Sequence, residues 1–251
     1  MYDFHPIRLN DYITIHFLNI DEIEHDFEEL IIASIRQICG GRYSEYSLDF
    51  FKGRLTDFFR EKLSDRRTAM GAIAEFIIHV HLNNLSFSQE CMFFNLEELS
   101  IKKGFDGYYS FGGEQWIMES KSSEDIEKKH DGKIREAYSD LKNKIETRVS
   151  NNPWYNAYNH MRTVNVNTDV SIVSRVRQFS EEFQRGTYQQ IANFNIMPCS
   201  TLYLGDSWTP INNDELETKL TELCQRIDYQ KIHIICINNR DFERIINMIT
   251  A

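Results

Sequence analysis

Asp106, Glu119 and Lys121 fall within one short run, "GFDGYYSFGGEQWIMESKSS" at 104–123, whose remaining residues are mostly aromatic, apolar or glycine. Gly112-Gly113 divides the run into two strands of a hairpin. Strand alternation places Trp116, Met118 and Ser120 on one face and Ile117, Glu119 and Lys121 on the other. Asp106 sits on the neighbouring antiparallel strand, within reach of Glu119. An unpaired buried carboxylate is costly, so a sheet that holds two requires a cation. Lys121 supplies part of that charge. A divalent metal supplies the rest, and Mg2+ takes one or two carboxylates plus waters and phosphate oxygens. The chemistry open to such a set is metal-assisted hydrolysis of a phosphodiester.

Glu75 extends the set. It lies in "AMGAIAEFIIHVHL", where Met70, Ile73, Phe76, Ile77, Ile78, Val80 and Leu82 leave little polar surface, so the helix belongs inside the fold. An acid at its centre needs a partner. The metal site is one; Arg66, Arg67 or His79 are the ordinary alternatives. For His79 and His81 a structural role is the better reading. Singly, each residue has a plain explanation: Glu-x-Lys is a common tripeptide, and Asp106 between glycines is a typical turn acid. The combination of a buried helical Glu, an Asp on one strand and Glu-x-Lys on the next is more specific.

The elements that must carry these residues follow from periodicity. A strand is expected over 12–18, helices over about 22–38 and 47–63, and a third helix begins near Ser64 or Asp65 and ends at Asn83-Asn84. Strands follow at about 91–95, 105–111 and 115–121, then a long helix over about 125–149 with Ile134, Tyr138, Leu141, Ile145 and Val149 as its apolar stripe. The Asn-rich segment 150–167 reads as a loop, packed through Trp154, Tyr155 and Tyr158. A helix at about 169–190, a strand at 196–204, a helix at 213–227, a strand at 231–237 and a helix at 240–249 complete the chain. The order describes an α/β protein, a mixed sheet flanked by helices. Residues 1–60 form an N-terminal strand and helices, a partner or regulatory region; 61–251 form the domain that carries the site, one compact unit with the N-terminal part.

Composition sets limits on function. The 251 residues have a net charge of -10, which argues against a general polyanion binder. Residues 101–150 hold 10 Lys/Arg and 10 Asp/Glu of the chain's 28 and 38, so the excess acid lies elsewhere (28 − 38 = -10 in all, 10 − 10 = 0 here). Lys128, Arg135 and Lys142 are spaced by seven along the long helix and either meet nucleic-acid phosphates or form a solvated flank; Lys102 and Lys103 are similar candidates. No apolar run reaches the length of a membrane span, and the N-terminus lacks the basic start and apolar stretch of a secretory signal. The five cysteines, odd in number and without a CxxC pair, read as reduced thiols of a cytoplasmic protein. No GxxxxGK[ST], GxSxG or HExxH is present, so this chain binds no nucleotide by a P-loop.

The order Glu75, Asp106, Glu119-Ser120-Lys121, on these element types, resembles the PD-(D/E)xK nuclease superfamily, whose core is helix, three strands, helix, strand; the likeness spans about residues 65–205. The helical Glu resembles the branch that includes archaeal Holliday-junction resolvases. More narrowly, "MGAIAEFIIHVHL", "KKGFDGYYS" and "WIMESKSS" resemble the HamA/AbpA family. These are nuclease subunits of bacterial anti-phage defence systems of the Hachiman type, encoded beside a superfamily 2 helicase. Phe105 stands where the superfamily often has Pro, a position that varies widely in it. The resemblance implies that Asp106, Glu119 and the Ser120 carbonyl ligate Mg2+ (or Mn2+). It implies that Glu75 holds a second metal or a metal-bound water, and that Lys121 orients the attacking water. The implied function is DNA cleavage with a helicase partner of the HamB/AbpB type. Two other functions share these residues: a catalytically silent subunit that positions or restrains the helicase, and an RNA-cleaving toxin.

Overall fold

The computed structural model describes residues 4–62, 65–94, 104–163 and 166–251. The chain opens with β1 (Phe4–Arg8) and β2 (Ile13–Ile20), followed by α1 (His25–Gly40), α2 (Leu48–Lys62) and α3 (Arg66–Asn84). Next come β3 (Ser88–Gln89), β4 (Gly107–Phe111) and β5 (Glu114–Ser123), then α4 (His130–Glu146), α5 (Pro153–Met161) and α6 (Val170–Gln184). β6 (Asn195–Tyr203), α7 (Asn213–Cys224), β7 (Lys231–Asn239) and α8 (Phe242–Thr250) end it.

These strands form one seven-stranded mixed sheet in the order β1-β2-β7-β6-β5-β4-β3. β2, β7, β6 and β5 run parallel; β1, β4 and β3 are antiparallel to their neighbours. The parallel centre is buried on both faces, and β6 accordingly reads "NIMPCSTLY" with every residue buried. One face, carrying Trp116, Met118, Met197 and Cys199, packs under α1, α2, α3 and α8. The other, carrying Ile117, Ile196 and Ile234, packs under α4, α5, α6 and α7. α3 has apolar residues all round because it is buried along its length, and the Asp65 side chain caps it by accepting from the Thr68 N–H.

Four expectations need correction. The N-terminal region begins with a strand pair: β1, unrecognised in the sequence, lies antiparallel to β2 at the sheet edge. No strand occupies 91–94; the short strand is β3, upstream, because Phe93 and Phe94 both turn into the core instead of alternating, and the Phe93 N–H bonds the α1 carbonyl of Ile38 at 2.9 Å. The expected loop 150–167 contains α5. Asn152 caps it by accepting from the Tyr155 N–H at 3.1 Å, Pro153 occupies its first turn, and Trp154 is fully buried. The long helix starts at His130, five residues late, since residues 125–128 form a turn closed by the Lys128 N–H on the Asp125 carbonyl. All five cysteines are buried and free, and no described helix is long and apolar enough to cross a membrane.

Candidate active site

The β4–β5 register pairs Gly107 with Met118, so Asp106, one residue before β4, faces Glu119. The Ser120 backbone N–H donates to Asp106 Oδ2 at 2.8 Å and fixes the carboxylate there. A glycine and an aromatic residue deliver it. Gly104 has φ +82°, and a Cβ on it would lie 2.6 Å from the Pro153 carbonyl oxygen, so only glycine lets the chain pass α5 this closely on its way into β4. Phe105 then buries against Trp154, with ring centroids 4.9 Å apart.

Glu119 is 2% exposed, and both of its oxygens are met. Lys121 Nζ lies 3.1 Å from Oε1, and Lys144 Nζ lies 2.5 Å from Oε2. Lys121 also pairs with Asp140 Oδ2 at 2.5 Å. Asp140 and Lys144 are one helical turn apart on α4, so that helix supplies both ends of a row of alternating charge, Asp140–Lys121–Glu119–Lys144. Neither residue stood out in the sequence, although an Asp and a Lys at i,i+4 beside the buried Leu141 and Ile145 is the signal that could have marked them.

Electrostatics at Asp106 are unfavourable to charge. Burial pushes its carboxyl up to about 7, with Glu119 and Glu75 adding to the rise and Lys144 and the Ser120 N–H opposing it. Burial pulls the Lys121 ammonium down, but Glu119, Asp140 and Asp106 outweigh it and hold its pKa above the ordinary lysine range. Lys144 behaves alike: burial opposes the charge, and Glu119 and Asp106 more than restore it.

Glu75, 4% exposed, approaches from the other side of the sheet, because α3 packs on the Trp116/Met118 face. Its Oε1 lies 3.5 Å from His79 Nε2, and His79 Nδ1 shares a hydrogen bond with the buried Tyr109 hydroxyl. Of the alternatives weighed for Glu75, His79 is the neighbour present; Arg66 pairs with Glu124 and Glu243 instead. Among the described residues, no three of His, Cys, Asp and Glu form a group able to hold a metal ion. What converges is a pair, Asp106 and Glu119, with the field of Glu75 reaching Asp106. A pair fits a divalent cation that draws its other ligands from water and phosphate. Two further observations favour that fit: Asp106 is repelled by its own neighbours, and the buried Ser120 hydroxyl lacks a hydrogen-bond partner.

The three described basic residues expected to meet nucleic acid, Lys128, Arg135 and Lys142, lie elsewhere. At about 100° per residue, Arg135 and Lys142 fall on the flank of α4 roughly opposite Asp140 and Lys144. They pair there with acids, Arg135 with Asp131 at 4.0 Å, Lys142 with Asp228 at 3.4 Å and Glu146 at 3.8 Å. Lys128 precedes the helix and lines a cavity of about 480 Å³ beside Lys129, His130 and Lys219, which none of Glu75, Asp106, Glu119 and Lys121 lines. Lys102 and Lys103 lie outside the described residues. No protein-family model matches the chain, and no curated protein matches it.

Proposed function

We propose that this protein is a metal-dependent nuclease that hydrolyses DNA phosphodiester bonds through a PD-(D/E)xK site. The observation that carries the reading is Asp106 held opposite Glu119 by the Ser120 N–H, with Lys121 bound to that same glutamate. Asp106 and Glu119 are the residues to hold Mg2+ or Mn2+, with the Ser120 carbonyl beside them and Glu75 steadying a second metal or a bound water. When bound, the metal supplies a lowered water pKa and charge to offset that on phosphorus. Lys121, anchored between Glu119 and Asp140, presents a fixed N–H donor and a full positive charge to the attacking water and the phosphate. The fold supports this reading in outline: α3, the strands β3, β4 and β5, α4 and β6 follow the superfamily's order. The resemblance to HamA/AbpA subunits extends the proposal to an anti-phage effector in the cytoplasm, working with a superfamily 2 helicase that brings DNA to a chain of net charge -10.

The test is plasmid cleavage in Mg2+, alone and with the helicase, by the wild type, Glu119→Ala and Lys121→Ala. Each variant should lose at least 100-fold in rate, and cleavage undiminished in both would remove the assignment. One observation favours a silent binding subunit: both Glu119 oxygens are already met by the chain's own lysines. The two readings separate on metal. A nuclease gains melting temperature with Mg2+ and loses that gain in Asp106→Ala; a silent subunit shows neither.

A further inference from the structure

We propose that Lys144 is a second lysine of the reaction, which holds Glu119 until a divalent cation takes that carboxylate and then carries its charge to the substrate phosphate. The proposal rests on the metal-dependent reading of the site. Lys144 Nζ stands 2.5 Å from Glu119 Oε2, and its charge acts on Asp106 as well, so this ammonium lies in the field of both residues expected to hold the metal. Lys121 also lies in the field of Asp106, but it has a second partner, Asp140 at 2.5 Å, which ties it to α4. Of the two lysines on Glu119, Lys144 alone has Glu119 as its sole ion-pair partner, among the described residues.

Competition follows from charge. At equal distance a divalent cation gains twice the Coulomb energy of an ammonium from the same carboxylate. Asp106 and Glu119 would hold Mg2+ or Mn2+, whose charge would then compete with the Lys144 ammonium for Glu119 Oε2. A displaced Lys144 would keep four flexible methylenes with which to reach a substrate phosphate, with Asp140, one turn earlier on α4, as the competing anion. Lys144 is about as exposed as Lys121, with 24% and 26% of the side chain accessible, so the ammonium can turn outward without leaving the site. A purely structural Lys144, clamping α4 to β5, makes the opposite prediction for metal: without it the carboxylates loosen and bind worse.

The experiment compares wild type, Lys144→Met and Lys144→Gln as full-length protein. Mn2+ affinity is read by electron paramagnetic resonance, and plasmid cleavage is read at saturating Mn2+. Both variants should bind Mn2+ about tenfold more tightly and yet cleave at least tenfold more slowly. Lys144→Gln keeps a neutral N–H donor in a shorter side chain, so it carries the comparison if Lys144→Met does not fold. Unchanged or weaker Mn2+ binding in the variants overturns the exchange while leaving the metal reading intact. A wild type that binds no Mn2+ overturns the metal reading, and this proposal with it.

Discussion

At the scale of single residues, the site sets one paired carboxylate, Glu119, beside another whose charge is penalised, Asp106. The folded Asp106 carboxyl titrates near 7 through burial and through Glu119 and Glu75. A carboxyl raised in the folded state binds a proton that the unfolded chain has already lost. Its contribution to stability is therefore complete below about pH 4 and disappears as pH rises through 7. Asp106→Asn removes that loss. The variant should match the wild type near pH 4 and exceed it by about 2 to 4 kcal/mol at pH 8, measured by urea unfolding. On the proposed metal-dependent reading, Mg2+ should raise the wild-type melting temperature more at pH 8 than at pH 6 and leave Asp106→Asn unmoved. A wild type as stable as Asp106→Asn at pH 8 without metal would show that the buried charge costs nothing.

At the scale of elements, α5 is what aims the Asp106 strand. Trp154 is buried among Phe105, Phe179 and Phe194, and Gly104 runs against the Pro153 backbone. Trp154→Ala should cost about 3 to 5 kcal/mol, as other large-to-small core changes do. Because Phe105 adjoins Asp106, the proposed cleavage should fall more steeply than the folded fraction does, which parallel melting and activity assays would reveal. A proportional fall would confine α5 to packing. This contact was half legible in the sequence. The aromatic residues of 150–167 pointed to packing, but Asn-rich composition and a proline concealed a helix whose cap and first turn are built from those very residue types. The hairpin and α3 were legible because alternation and an all-round apolar pattern leave few alternatives. The α4 side of the site was not. An evenly spaced basic row, 128, 135 and 142, drew attention to one flank, whereas the pair that reaches Glu119 and Lys121 lies on the other. Which flank faces the sheet depends on how α4 packs across β5 and β6, and a helical pattern alone does not encode that choice.

At the scale of the whole molecule, the N-terminal region is part of the fold that holds the site. β2 pairs with β7 along Ile13–Ile20, and its His16 links the sheet to α3: His16 Nε2 lies 2.9 Å from His233 Nδ1, and His81 Nε2 lies 3.2 Å from His16 Nδ1. Burial lowers all three, His81 to about 3 and His233 to about 4, the latter with Glu114 opposing and Lys231 assisting. Such histidines stabilise the fold fully above their unfolded pKa near 6.5, and that contribution is lost as pH falls towards 4. His81→Leu should accordingly flatten the decline of urea stability between pH 6.5 and 4; an unchanged slope would place the acid sensitivity elsewhere. The same junction decides whether residues 1–60 are an appendage. Removing them strips Leu18, Ile20, Phe27, Ile31, Ile35, Ile38, Phe51, Leu55, Phe58 and Phe59 from the core beneath α3 and bares the buried strand β7. At about 1.5 to 3 kcal/mol for each large apolar side chain, the loss exceeds the whole stability of an ordinary domain, about 5 to 15 kcal/mol. The fragment 61–251 should thus fail to fold, lacking dispersed amide signals by NMR and a cooperative melt by circular dichroism. Co-expression with 1–60 should restore both. A fragment that melts cooperatively near the full-length temperature would instead make the N-terminal region a detachable partner surface.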